Sequence, residues 1–289
     1  MTQPIITDLS RSLSQRLCLA FTLLTLTVLG ACTHENPLSL ELEGNLAMVR
    51  LPGAVLGITG HCLPEGQAQF RPNGVFDLMI TNKYDFYPRI ENRLVQTQTI
   101  TGMGPESLRG DASTITIDGA QISMELDSAS AGPLKPASGA PLWRTTWFSP
   151  FQAQVDAGGV VSSRFALVPP DVGSEMAKVF REFPGKKTAS QQAIMKVSII
   201  GRMADGTAVE SNVIQYPVDI CWGCLVSIPV SIEGVDADPL EQYKLCSSKL
   251  VNQFTPPCMP GNDEFVPCQF YCNLCHLNGD CDDEVCPTP

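Results

Sequence analysis

The sequence predicts an all-β fold, an immunoglobulin-like two-sheet sandwich with one short helix, followed by a small disulfide-rich C-terminal module. Three observations carry this expectation. From Asn45 to Ile220 the dominant hydrophobic period is two, the period of strands with one buried face. Two Asp-Gly pairs, Asp118-Gly119 and Asp205-Gly206, punctuate these runs, and that dipeptide supplies the positive φ angles of a tight hairpin. After Ile220 the alternation stops, and nine of the chain's 12 cysteines lie between Cys221 and Cys286.

The N-terminal elements decide the compartment. Arg11 and Arg16 precede an apolar run from Leu17 to Leu29, and small residues follow it, which is the layout of an export signal. The run is too short to span a bilayer. Leu29-Gly30-Ala31-Cys32 resembles the lipobox of bacterial lipoproteins. The resemblance implies cleavage after Ala31 and acylation of Cys32, with the two or more chains that lasting attachment needs. By the same analogy Thr33, standing where an Asp would retain the protein at the inner membrane, implies the outer membrane. Residues 1–31 are thus expected as a signal peptide and 32–44 as a tether between lipid and fold.

Removing residues 1–31 takes Arg11, Arg16 and Asp8, so Lys+Arg falls from 19 to 17, Asp+Glu from 30 to 29, and the net charge becomes −12. An acidic surface of this kind repels phosphate backbones and argues against a nucleic-acid partner. The hydrophobic content, 44%, is enough for a real core.

The sandwich is expected over residues 45–220. Phe76, Leu78 and Ile80 share one face; Ile122, Met124 and Leu126 alternate with polar neighbours; Met195, Val197 and Ile199 oppose Lys196 and Ser198. Further strands are expected at Asn45–Leu56, Leu94–Thr101, Trp143–Val155 and Val160–Val168. Met176, Val179, Phe180 and Phe183 follow helical spacing and predict a helix over Ser174–Phe183, ended by Pro184-Gly185. Ser128 to Trp143, rich in Ala, Gly, Pro and Ser, reads as an exposed loop.

Residues 221–289 are expected as a separate cysteine-rich module. It is proline-rich, and from Leu225 onward ten carboxylates face only Lys244 and Lys249, so it carries −8 of the charge. With Cys18 in the signal and Cys32 acylated, ten cysteines remain: Cys62, Cys221, Cys224, Cys246, Cys258, Cys268, Cys272, Cys275, Cys281 and Cys286. An even number outside the cytosol predicts five disulfides, which a segment with a thin core needs as staples. Nine of the ten lie in the tail, so full pairing forces one of them onto Cys62; Cys221 or Cys224, at the end of the last strand, is the expected partner.

Other chemistries fit less well. Cys272-Asn-Leu-Cys275-His276 has the form of c-type haem attachment, the alternative reading for an envelope redox protein, but Cys268 and Cys281 crowd it and no helical pattern surrounds it. The CxxC pairs at Cys221/Cys224 and Cys272/Cys275 are too far apart for a zinc knuckle pair. Cys221-Trp-Gly-Cys224, at a strand end and not at a helix N-terminus, reads as structural and not redox-active. Asn278 to Glu284 does not follow the EF-hand order. His34, His61 and His276 are the only histidines, so a hydrolase, the second alternative, rests on His61. Gly-x-Ser-x-Gly, His-Glu-x-x-His and phosphate-loop motifs are absent.

The stretches YPVDICWGCLV and PPCMPGNDEFVPCQ resemble uncharacterised cysteine-rich lipoproteins of myxobacteria and their relatives. The resemblance implies an address and a build and no mechanism. The expectation is a lipid-anchored outer-membrane protein without a cofactor or enzymatic activity, in a binding or structural role toward an envelope protein or glycan.

Overall fold

Alternating apolar side chains produce sixteen strands and one named helix in the computed structural model, which describes residues 39–50, 62–64, 69–95, 113–126, 133–134, 144–183, 189–227, 258–269, 271–272 and 286. In chain order the first seven strands are β1 (Leu40–Leu46), β2 (Met48–Arg50), β3 (Cys62–Pro64), β4 (Phe70–Arg71), β5 (Gly74–Asp77), β6 (Tyr84–Phe86) and β7 (Pro88–Asn92). Then follow β8 (Ile115–Leu126), β9 (Thr146–Val155), β10 (Val160–Ser162), β11 (Phe165–Val168) and the helix α1 (Pro170–Glu182). The last five strands are β12 (Ser190–Met203), β13 (Ala208–Glu210), β14 (Ile214–Cys221), β15 (Val226–Ser227) and β16 (Val266–Pro267). The described residues are therefore mostly β-structure with one short helix before β12, as the period-two patterning predicts. No helix among the described residues is long and apolar enough to cross a membrane.

The largest sheet has the order β5-β14-β12-β8-β9, with β13 paired to β12, and a second sheet has the order β10-β7-β1-β4. Their apolar faces feed one hydrophobic cluster, in which Leu40, Leu42 and Ile90 from the second sheet join Ile115, Ile122, Met195 and Val197 from the first. Aromatic rings complete it: Phe151 stacks on Phe165, and Phe86 meets Tyr216 edge-on at 5.1 Å. Burying each such ring stabilises the fold by roughly 1.5–3 kcal/mol. Pairing is antiparallel throughout the two sheets except where β5 runs parallel to β14.

Several expected boundaries move. Strand β1 begins at Leu40, within the residues expected as a tether, and Leu40 and Leu42 are core residues. Asp118-Gly119 is no hairpin turn. It lies inside β8, where the register against both β9 and β12 shifts. The buried residues change parity there, from Ile115 and Ile117 to Ala120, Ile122 and Met124, which is the effect of a β-bulge. A Cβ at Gly119 would lie 2.4 Å from the Phe148 ring, so the bulge needs glycine. Asp205-Gly206 does turn the chain between β12 and β13, with Gly206 at φ +87°.

Strand β5 stops at Asp77, and residues 78–80, expected to continue it, turn. Val160–Val168 is two strands: β10 pairs with β7 and β11 with β6. Leu94 and Val95 are not in a strand, the neighbouring strand being β7; residues 96–101 of that expected element lie outside the described residues. So does most of the expected 128–143 loop.

Helix α1 starts four residues before the expected Ser174 because Pro170 occupies its first turn, where the missing N–H costs nothing. Val172, Met176 and Phe180 face the core, and Phe183 caps the end, partly exposed.

Gly173, on the buried face of α1, packs directly on the backbone of Asn82, whose carbonyl oxygen would lie 1.9 Å from an added Cβ. Gly→Ala in a helix interior ordinarily stabilises. Here Gly173→Ala is expected to destabilise by about 1–3 kcal/mol, the cost of overpacking, read as a lower chemical-denaturation midpoint.

Candidate functional site

Polar chemistry in this fold gathers along β5, where strand, CxxC turn and tail meet. The parallel register sets Cys221 of β14 opposite Asp77 of β5. Asp77 is fully buried. Its carboxylate accepts N–H bonds from Gly223 at 2.7 Å, Leu225 at 2.8 Å and Met79 at 3.0 Å. An ionised carboxylate has the acceptor sites for all three. The bonds curl residues 221–225 around the carboxylate, and one carboxylate oxygen and the Cys221 and Cys224 sulfurs lie within 4.8 Å of one another. Burial pushes the Asp77 pKa above the ordinary 3.8, against the opposing pull of the Leu225, Gly223 and Met79 N–H groups.

The other edge of β5 is covered by the tail. Asp77 N–H donates to the Gly261 carbonyl at 2.9 Å, Asp263 N–H donates to the Val75 carbonyl at 2.9 Å, and Asn262 forms a bridge with Phe76. With its amide turned to match its neighbours, Asn262 also donates to the Lys83 carbonyl and accepts from Asp85 N–H, so it links β5 to β6. Asp263 takes a left-handed φ of 61°. That directs its carboxylate inward to accept from Val75 N–H at 2.5 Å and from the Tyr84 hydroxyl at 2.6 Å, with Arg71 3.4 Å away.

From Asp263 a hydrogen-bonded chain runs into the core. Tyr84 gives its single proton to Asp263, so at the 3.2 Å contact between the two phenols Tyr216 is the donor. Tyr216 in turn accepts from the Asn45 amide at 3.0 Å. Burial and the Asp263 carboxylate push the Tyr84 pKa well above 10.0 and that of Tyr216 up to about 12. Both phenols stay protonated donors at neutral pH and neither serves as a base. Burial raises Asp263 above 3.8 as well, opposed by Tyr84, the Val75 N–H and Arg71.

The predicted site residues distribute as follows. Cys62 pairs with Cys258, across 196 residues, and not with Cys221 or Cys224, which pair with each other. The forced long-range bond from the tail to Cys62 exists, but its partner is different, because the Cys221–Cys224 turn closes on Asp77. Cys272 pairs with Cys286, and Cys268 is disulfide-bonded too. A Cys272 sulfur bonded to Cys286 has no thiol to form a thioether, so the haem reading of Cys272, Cys275 and His276 does not hold in this structure. Cys32, Cys246, Cys275, Cys281, His34, His61 and His276 lie outside the described residues. Asp77, Asp263, Tyr84 and Tyr216 were not legible as a site. Their only sequence signals are an aspartate breaking an apolar run and the turn-forming Gly261-Asn262-Asp263.

No protein-family model matches the chain, and no curated protein matches it.

Asp263→Ala strands the Tyr84 hydroxyl and the Val75 N–H in a buried place. It is expected to cost about 3 kcal/mol, read by urea unfolding. The pH dependence has a defined sign. A carboxyl whose folded pKa is raised binds its proton more tightly when folded, so its contribution is fully present below 3.8 and is lost as pH rises through the raised value. The stability difference between wild type and Asp263→Asn is expected to shift against wild type across that window; a difference constant with pH contradicts the assignment.

Proposed function

We propose that this chain is a lipid-anchored protein of the bacterial outer membrane, acylated at Cys32, which displays an immunoglobulin-like two-sheet sandwich stiffened by disulfides. Its role is binding or structural, its partner a protein or glycan of the cell envelope, and it has no resident cofactor. The observation that carries this reading is that all seven described cysteines are disulfide-bonded. Complete oxidation suits a protein that leaves the reducing cytosol, and it agrees with the export signal and the lipobox-like Leu29 to Cys32. The sandwich reading is supported by the single core that the two larger sheets share.

A non-catalytic role is supported by the way the buried polar groups are used. Asp263 spends its carboxylate on Val75, Tyr84 and Arg71, and Tyr84 and Tyr216 are donors within the same buried chain of hydrogen bonds. The acidic tail and the formal net charge of −11 favour partners other than nucleic acid.

Metabolic labelling with a palmitate analogue tests the anchor. The wild-type chain is expected to carry label and to fractionate with membranes, and Cys32→Ala is expected to lose the label and remain soluble after export. Label retained in Cys32→Ala, or full-length chain with Met1 and free thiols in the cytosol, defeats the reading.

A further inference from the structure

We propose that Cys221–Cys224 is a redox-active disulfide that exchanges with dithiols, with Asp77 relaying the proton to and from Cys221. This activity goes beyond the anchoring and binding role and does not depend on it. Three features of the geometry support it. The first is asymmetric access. Cys224 is exposed while Cys221 is only 3% exposed, so an incoming thiolate reaches one sulfur and the other is the leaving group. Cys272 and Cys286, by contrast, are both buried.

The second feature is the leaving group's surroundings. Cys221 Sγ lies 3.7 Å from the Phe76 carbonyl oxygen, whose partial negative charge disfavours a thiolate there. The sulfur therefore needs a proton as the bond breaks. The third is the donor. A buried carboxyl lies within 4.8 Å of both sulfurs, and backbone N–H bonds fix it in place. Charged groups on the neighbouring elements, among the described residues, include Asp219 on β14, Asp263 and Glu264 on the tail segment along β5, and Arg181 of α1, whose guanidinium sits 5.8 Å from the Trp222 ring. Asp219 is hydrogen-bonded to Gln192, and Asp263 to Tyr84 and Val75.

The reaction balances without a further reactant. A substrate thiolate attacks Cys224 Sγ, a mixed disulfide forms, and the Cys221–Cys224 bond breaks with its electron pair on Cys221. Asp77 passes a proton to that sulfur. The second substrate thiol loses its proton to solvent and attacks the substrate sulfur of the mixed disulfide, releasing Cys224, which takes a proton from solvent, as the Asp77 carboxylate does to complete the relay. The dithiol leaves as a disulfide, having lost two electrons and two protons, and the Cys221/Cys224 pair has gained them. The reverse sequence reduces a substrate disulfide.

The test uses the full, non-reduced, natively folded chain with dithiothreitol as the probe dithiol, quenched over time and mapped by differential alkylation and mass spectrometry. Cys221 and Cys224 are expected to become alkylated at least about ten-fold faster than Cys272 and Cys286 or Cys62 and Cys258. Opening at the same rate as those pairs, or only after unfolding, overturns the proposal and leaves the pair a structural staple. The rate at Cys221–Cys224 is expected to show two breaks with pH, one from the probe's thiol and one from Asp77, whereas a single break at the probe's thiol overturns the relay. Asp77→Asn, if it folds, is expected to remove the second break while the rate at Cys272–Cys286 stays as in wild type; an unchanged profile in that variant overturns the relay as well. If Asp77→Asn does not fold, the wild-type order of opening and pH profile decide both parts.

Discussion

The edge of β5 is the constraint on which the rest of the molecule depends. A short strand paired on one side only leaves a row of N–H and C=O groups that must find partners or water. On one side β14 runs parallel to β5 and satisfies them. On the other, Gly261 to Asp263 supply the missing bonds, and the Asp263 carboxylate closes the last N–H, that of Val75. The tail is therefore part of the sheet's hydrogen bonding and not an appendage to it. The Cys62–Cys258 bond sits immediately before this segment. Closing a loop of 196 residues removes on the order of 5 kcal/mol of unfolded-chain entropy in the loop-closure description. That tethers the segment where its backbone bonds are made.

The two buried carboxylates solve one problem twice. Each collects backbone N–H groups otherwise left without partners: Asp77 those of residues 223 and 225 in the CxxC turn, Asp263 that of Val75 on the edge of β5. Such bonds are stronger for an ionised acceptor and favour its charge, while burial disfavours it. In both cases burial is the larger effect, so the folded state holds these protons more tightly than the unfolded one. The difference between the two lies in their neighbours. Asp263 leans on Tyr84 and Arg71, whereas Asp77 lies beside two sulfurs, one of them at the surface. A structural acceptor placed beside a disulfide is in position to move a proton when that bond opens.

Sequence and structure part company where local signals are ambiguous. Asp118-Gly119 carries the letters of a hairpin turn, yet the apolar parity on either side of it, odd before and even after, is that of one continuous strand with a bulge. What the bulge uses is the missing Cβ of Gly119, and only the presence of β9 and β12 on its two sides selects it. The helix starts at Pro170 and not at Ser174, because the missing N–H of a proline costs nothing in a helix's first turn. The run Val160 to Val168 reads as one strand and is two, because its halves pair with different partners, β7 and β6.

The sequence by itself determined the β character, the helix before β12, the turn at Asp205-Gly206 and the need for a bond from the tail back to Cys62. All of these follow from periodicity, turn chemistry and parity, which are properties of neighbours along the chain. Only the tertiary structure decided that Cys258 is that partner, that the CxxC pair closes on itself, and that Asp77, Asp263, Tyr84 and Tyr216 converge on β5. Those choices depend on which backbone groups are left without a partner once the sheets have formed. Segments nearly two hundred residues apart settle that question in space, and no local pattern of residues records it.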